Sequence, residues 1–293
     1  MPPSKHTPMK KTLSALKAKY ERQNTIRLAR KTLPDDMSAL QNISRFCVFI
    51  GQPRSGHSLV GALLNAHPNM VIAHECDIIK YLGKGVDKNV VFSILLNRDR
   101  WFSNKIASNW AGYSYAVPNQ HQGNFKKLNV IGDKKGGRTA TRLYEDPECL
   151  TRLAHTVDTP MRIINHIRDP YDSISTEWKK HQEMPSHRDK SLELQIKLFR
   201  QRTEAIAQVR TGSLKEYVFD TWHEDFVKDS RQNLKELVSF LGEEASEKYL
   251  DDCTSIIFHK PKKSSANAPW TEKLLKELDE MCLEYDFLTR YRR

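Results

Sequence analysis

Gly51-Gln52-Pro53-Arg54-Ser55-Gly56-His57-Ser58 brackets four residues between two glycines and places a serine two positions further on. In such a Gly-x-x-x-x-Gly-x-Ser frame, backbone N–H groups and the N-terminus of the next helix can hold a phosphate. A nucleoside triphosphatase keeps a lysine immediately before the serine, where it reaches the β- and γ-phosphates. Here that position is His57, and a fixed cation, Arg54, lies inside the loop instead. The chemistry implied is that of a nucleotide whose transferred group is not a γ-phosphate. A second group of chemically useful residues begins at Arg168-Asp169-Pro170 and continues through the hydroxyls of Ser173, Ser175 and Thr176.

These residues need elements to position them. Phe46-Cys47-Val48-Phe49-Ile50 is apolar and rich in β-branched and aromatic types, as a buried parallel strand requires, so the core should begin near Arg45. After Ser58, the residues Leu59, Val60, Leu63 and Leu64 recur at helical spacing. Strand, loop and helix therefore occur in the required order. Arg162-Ile163-Ile164-Asn165-His166-Ile167 reads as a second buried strand, and Asp169 followed by Pro170 supplies an N-cap and first-turn pair for a helix running through Trp178. Arg168 then stands at the carboxyl end of a strand, where open α/β sheets bind ligands. Taken alone it would better suit a surface ion pair; two motifs in the right order reverse that balance.

The first stretch, with Leu64-Asn65-Ala66-His67-Pro68-Asn69 and then His74-Glu75, resembles the sulfotransferases that use 3′-phosphoadenosine 5′-phosphosulfate (PAPS), most of all the tyrosylprotein, Nod-factor and related bacterial branches. The resemblance implies an α/β fold with a three-layer parallel sheet, flanking helices and a P-loop-like nucleotide site. It implies that Arg54, Ser55, Gly56, His57 and Ser58 form the 5′-phosphosulfate loop. The family usually has threonine where this chain has His57, so Ser58 or an imidazole N–H would supply that hydrogen bond. Arg168 and the hydroxyl eight residues later, Thr176, would bind the 3′-phosphate, with Ser175 as the alternative if the register slips by one.

Further matches extend the resemblance. Val130-Ile131-Gly132-Asp133-Lys134 is similar to the family's strand-end Gly-Asp-Lys, whose lysine faces the sulfuryl group; the family often continues with Thr-Pro, where this chain has Lys135-Gly136-Gly137. His223, in Trp222-His223-Glu224-Asp225-Phe226-Val227, occupies the position of an adenine-contacting tyrosine and could stack in its place. Lys260, Lys262, Lys263, Ser264 and Ser265 resemble the loop that closes over the 3′-phosphate, although a lysine-rich loop also serves simply as solvated surface. The catalytic set implied is Glu75 as base, with His74 as the alternative, and Arg54 and Lys134 as stabilisers of developing charge. PAPS is the expected co-substrate. No metal is expected, since fixed cations can take magnesium's place and no Walker-B aspartate is evident.

The 293 residues suit one large α/β domain over 41–293, preceded by a basic, helix-compatible extension over 1–40. A net charge of +11 calls for an anionic partner and fits a bis-phosphorylated nucleotide. It also fits a polyanion, so a non-catalytic polyanion-binding protein and a P-loop nucleotide kinase stand as alternatives. The missing lysine before Ser58 opposes the kinase, and two ordered strand-end motifs oppose the polyanion binder. Nucleic acid is not expected, for the basic residues are spread along the chain without an aromatic RNA-binding motif or zinc-ligand spacing. Five cysteines without CxxC spacing demand no disulfide. Neither a membrane-length apolar run nor a signal peptide is evident, so a cytoplasmic protein is expected. The stretch between Asp77 and Asn129 reads as irregular and aromatic-rich, with Trp101, Trp110, Tyr113 and Tyr115 as acceptor contacts or ordinary packing. Hydroxyl or amine acceptors on a small molecule, a sugar or a peptide would all fit.

Overall fold

The computed structural model describes residues 7–105, 109–110, 112–184, 189–258 and 263–293. A long helix α1 (Thr7–Leu40) leads into β1 (Arg45–Gly51), α2 (His57–Asn65), β2 (Met70–His74), α3 (Lys88–Lys105), β3 (Val130–Lys134), α4 (Gly136–Glu145) and α5 (Cys149–Val157). The second half runs through β4 (Met161–Ile167), α6 (Pro170–Gln182), α7 (Leu192–Thr211), β5 (Val218–Trp222), α8 (His223–Lys228), α9 (Ser230–Phe240), α10 (Glu247–Thr254) and α11 (Glu272–Glu284).

All strand pairings are parallel, in the order β2-β3-β1-β4-β5. Residues of β1 alternate between two cores. Phe46, Val48 and Ile50 join one with Ile131, Ile163 and the helices α3, α4, α5 and α7; Cys47 and Phe49 join the other with Ile164 and α2, α9 and α10. Burial on both faces is why the strand reads as an unbroken apolar run, and the outcome is the three-layer parallel α/β architecture expected from the sequence. From β1 the chain turns toward β2, whereas from β4 it turns toward β5. The topological switch therefore lies between β1 and β4, the position at whose carboxyl ends open α/β sheets hold their ligands.

The region between Asp77 and Asn129 is more regular than its sequence suggests, because α3 occupies Lys88–Lys105. Val90, Val91, Phe92, Ile94, Leu95 and Leu96 are all buried, since α3 packs against β2 on one side and α1 on the other. A helix covered on both sides loses the apolar stripe by which amphipathic helices are recognised. Helix α1 is held by buried Ile26, Ala29 and Leu40, by Thr32 Oγ1 at 3.0 Å from Ser93 Oγ, and by a 2.8 Å pair between Asp36 and Arg100. All five cysteines are buried and unbridged. No helix among the described residues is long and apolar enough to cross a membrane.

Candidate active site

The loop after β1 is braced from three directions. Gln52 is buried and donates Nε2–H to Phe199 O at 2.9 Å and Thr203 Oγ1 at 3.0 Å, tying the loop to α7. Ser55 Oγ bonds back to Gln52 O within the loop. Arg168 Nη1 donates to Arg54 O at 2.8 Å, joining the first strand-end motif to the second. Arg54 itself takes a left-handed conformation, φ 65°, and its Nε donates to Glu177 Oε2 of α6 at 2.8 Å. Gly56 has φ 96° and caps α2 without a side-chain hydrogen bond; its carbonyl takes the Leu59 N–H at 3.0 Å, which leaves the His57 and Ser58 N–H groups to meet an anion. A side chain at Gly56 would also collide with the His223 imidazole, its Cβ lying 2.6 Å from Nδ1.

His57 does not present its ring to the loop mouth. The imidazole lies beneath the loop against Gly136, with Nε2 3.2 Å from Ile50 O. Burial, with Lys134 nearby, lowers its pKa to about 4, so the ring is neutral at physiological pH. His57 can therefore offer a phosphate its backbone N–H, while the hydroxyl beside it belongs to Ser58. The rings of His57, His166 and His223 form a neutral cluster under the loop, with centroids 6.0 Å and 5.6 Å apart along the chain of contacts. His223 is half-buried, edge-on to His166, with burial and then Arg168 holding its pKa down at about 4.

The sheet register brings Glu75 and Lys134 together. His74 pairs with Lys134 across β2 and β3, and the Glu75 N–H donates to Lys134 O at 3.2 Å just past the strand end. Lys134 is 1% exposed, its stem passing over Gly61 of α2, where a Cβ would lie 2.6 Å from Lys134 Cγ. Its ammonium donates to Ser58 Oγ at 3.0 Å and Glu75 Oε1 at 2.5 Å. Lys135 closes on the other carboxylate oxygen, Glu75 Oε2. Burial alone would raise the Glu75 carboxyl, but the two lysines outweigh it and hold the pKa at about 2. Burial depresses the Lys134 ammonium, and Glu75 partly offsets that effect.

Glu75 stands at φ 55° and Asp77 at φ 60°, so their turn needs external support. Buried Asp133 supplies it by accepting the N–H groups of Cys76 at 3.1 Å and Ile78 at 2.7 Å, while Arg142 clamps Asp77 through two 2.7 Å bonds. His74 is packed rather than presented: its ring stacks on Phe102 at 3.8 Å, and burial followed by Lys134 lowers its pKa to about 2.

A second polar corner forms on α6. Asp169 is the N-cap, accepting Tyr171 N–H at 2.8 Å. Thr176 Oγ1 lies 2.8 Å from Ser264 Oγ, and Asp172 Oδ1 accepts the backbone N–H groups of Ser264 and Ser265 at 2.6 Å and 2.7 Å. Ser175 instead receives the Trp270 indole N–H at 3.1 Å, so Thr176 is the hydroxyl that meets Ser264. Lys263 is exposed beside it. Lys260 and Lys262 lie outside the described residues.

The fold thus joins Ser58, Glu75 and Lys134 in one hydrogen-bonded group, Arg54 to Arg168, and Thr176 to Ser264. It does not bond Arg54 to the Glu75 group; that guanidinium turns to Glu177. Sequence reasoning missed three members of the arrangement. Lys135 stood out only as a departure from Thr-Pro, Glu177 gave no signal, and Asp172 was one acidic residue in a helix's first turn.

A family model described as the sulfotransferase family matches residues 47–247. No curated protein matches the chain. Among solved structures, sulfotransferase STF1 from Mycobacterium tuberculosis H37Rv is similar at 12% identity with a TM-score of 0.52, covering 86% of this chain and 80% of that one. Sulfotransferase STF9 from Mycobacterium avium is similar at 12% identity and a TM-score of 0.51, covering 91% and 84%. The sulfotransferase domain of the Synechococcus PCC 7002 olefin synthase is 18% identical with a TM-score of 0.48, covering 84% and 96%. The likeness to the two mycobacterial proteins is one of fold. With the family model spanning more than half of the 293 residues, and the strand-end motifs it covers meeting in one crevice, this chain belongs to the sulfotransferase family.

Proposed function

We propose that this sulfotransferase takes its sulfuryl group from PAPS and passes it in line to a hydroxyl or amine of a small-molecule, carbohydrate or peptide acceptor. The observation that carries this reading is the bonded group Ser58, Lys134 and Glu75 beside the open N-terminus of α2: a phosphate cradle, a cation and a carboxylate within one another's reach. The loop N–H groups, joined by Arg54 once its guanidinium leaves Glu177, would meet charge on the leaving 5′-phosphate oxygen, and Lys134 would meet the sulfuryl oxygens. Preorganised donors of this kind contribute several kcal/mol in a site closed to water. Glu75 would receive the acceptor's proton as the new S–O or S–N bond forms and the phosphate oxygen departs with the old bond's electron pair. Arg168, Thr176, Lys263 and Ser264 would hold the 3′-phosphate, and His223 would lie against the adenine.

Parallel titration with adenosine 3′,5′-bisphosphate (PAP), AMP and ATP tests the donor. PAP should bind most tightly, because a charge-assisted contact to the 3′-phosphate contributes on the order of 1.5 to 3 kcal/mol. Arg168→Ala should erase most of the preference over AMP. Equal affinity of the unaltered protein for PAP and AMP would remove the basis of the assignment. Transfer of labelled sulfate from PAPS to a panel of alcohols, phenols, sugars, amines and peptides would then identify the acceptor.

A further inference from the structure

Two ammonium groups share the Glu75 carboxylate, Lys134 on Oε1 and Lys135 on Oε2. They are not equivalent. Lys134 is 1% exposed and bonded inward to Ser58, whereas Lys135 is 29% exposed and covers the carboxylate from the solvent side. Like charges can be held this close only with an anion between them. Glu75 with both oxygens occupied is also poorly disposed to take a proton, and its pKa of about 2 reflects that. A base in that state is ready for chemistry only when one lysine leaves it.

Lys135 is the one that can leave. It precedes α4 and anchors that helix through its carbonyl, which accepts Thr139 N–H at 2.9 Å, so its backbone is fixed while its half-buried side chain is not enclosed. A sulfuryl group bound at Lys134 Nζ and Ser58 would bring anionic oxygens within reach of the Lys135 ammonium. We infer that Lys135 is a second sulfuryl-binding cation, which moves from Glu75 Oε2 to the incoming sulfuryl oxygens and thereby frees that carboxylate oxygen to accept the acceptor's proton. No bond is made or broken at Lys135. Its charge is exchanged between two anions, so the base is unmasked only when the group to be transferred is present. The inference rests on the PAPS reading above.

Lys135→Met and Lys135→Arg distinguish this role from a structural clamp when binding of PAPS, binding of PAP and kcat are measured together with melting temperature. PAP has the nucleotide but lacks the sulfuryl group. In Lys135→Met, PAP affinity should stay within about two-fold, PAPS affinity should fall on the order of ten-fold or more, and kcat should fall with it. Lys135→Arg, which keeps the cation, should recover most of the PAPS preference in a fold of unchanged melting temperature. Equal effects on PAPS and PAP, or an effect on neither, would overturn the inference while leaving the donor reading intact. Failure of the unaltered protein to bind PAP would overturn the donor reading, and this inference with it.

Discussion

At the residue scale the site is governed by one carboxylate between two lysines. Glu75→Gln keeps the shape and part of the hydrogen bonding but cannot take a proton, so turnover should fall by about 10²- to 10⁴-fold while PAP binding survives. The same change leaves the enclosed Lys134 ammonium without its carboxylate, which costs stability. Rates and melting curves on one preparation separate the two effects, and near-normal turnover would exclude Glu75 as the base. His74, stacked on Phe102 and held neutral, is badly placed to replace it. Lys134→Met should separate stability from activity in the opposite sense. It removes a buried charge but not the apolar stem, and Glu75 keeps Lys135, so the melting temperature should hold or rise while transfer slows by about 10²-fold or more. A variant both less stable and fully active would show that Lys134 serves structure alone.

At the element scale α2, β3 and the turn after β2 act as one unit, because Lys134 of β3 bonds both Ser58 of α2 and Glu75 of that turn. Gly61 is the point of closest approach, and Lys134 can pass over α2 only because no side chain projects there. Intrinsic propensity favours alanine over glycine within a helix by about 1 kcal/mol, so Gly61→Ala would be stabilising if the helix were independent. The clash at 2.6 Å is with a lysine stem that is itself enclosed, and overpacking of this kind costs about 1 to 3 kcal/mol. Gly61→Ala should therefore lower both stability and transfer rate, measured by denaturant unfolding and labelled-sulfate assay. A more stable, fully active variant would show that α2 and β3 are less closely coupled than their packing indicates.

At the scale of the whole molecule, acid should destabilise the fold well above the usual carboxylate range. Burial holds His57 and His223 at about 4 and His74 at about 2, and pushes His166 well below its ordinary 6.5. A group whose pKa is depressed by folding gives stability that is present above the unfolded value and lost as pH falls. Two acids oppose this: burial raises Asp99 to about 6 and Asp133 to about 7 from an ordinary 3.8, so the native state binds protons there that the unfolded chain does not. Burial also lowers His67 and raises Asp169, and the lowered histidines still outnumber the raised aspartates, so stability should fall as pH drops below about 6.5, by on the order of 1 kcal/mol or more per pH unit. Urea midpoints at pH 7, 6 and 5 measure this directly. A flat profile across that interval would mean that the histidines under the loop are solvated or paired.

The chain's local chemistry was enough to announce the frame of the site. An apolar run ending in glycine, a helix signal after Ser58, and an Asp-Pro helix start after Arg168 are short-range patterns, and the folded chain has β1, α2, β4 and α6 where those patterns lie. The family resemblance also named Glu75, Lys134, Thr176 and Ser264, residues that the fold brings together in pairs; their chemical roles rest on the experiments above. Helix α3 was hidden because burial on two sides erases helical periodicity, and α4 because it opens on Gly136-Gly137, which reads as a turn. What tertiary structure alone decided was partnership. Lys135 meets Glu75 across 60 residues, Arg54 meets Glu177 across 123 and Asp172 meets Ser264 across 92. Such contacts follow from strand order and register, which place the carboxyl ends of distant segments in one crevice. Sheet order also turned the His57 ring inward, where its sequence position beside a phosphate loop had suggested the opposite: side-chain direction there is set by the space that Gly136 leaves open.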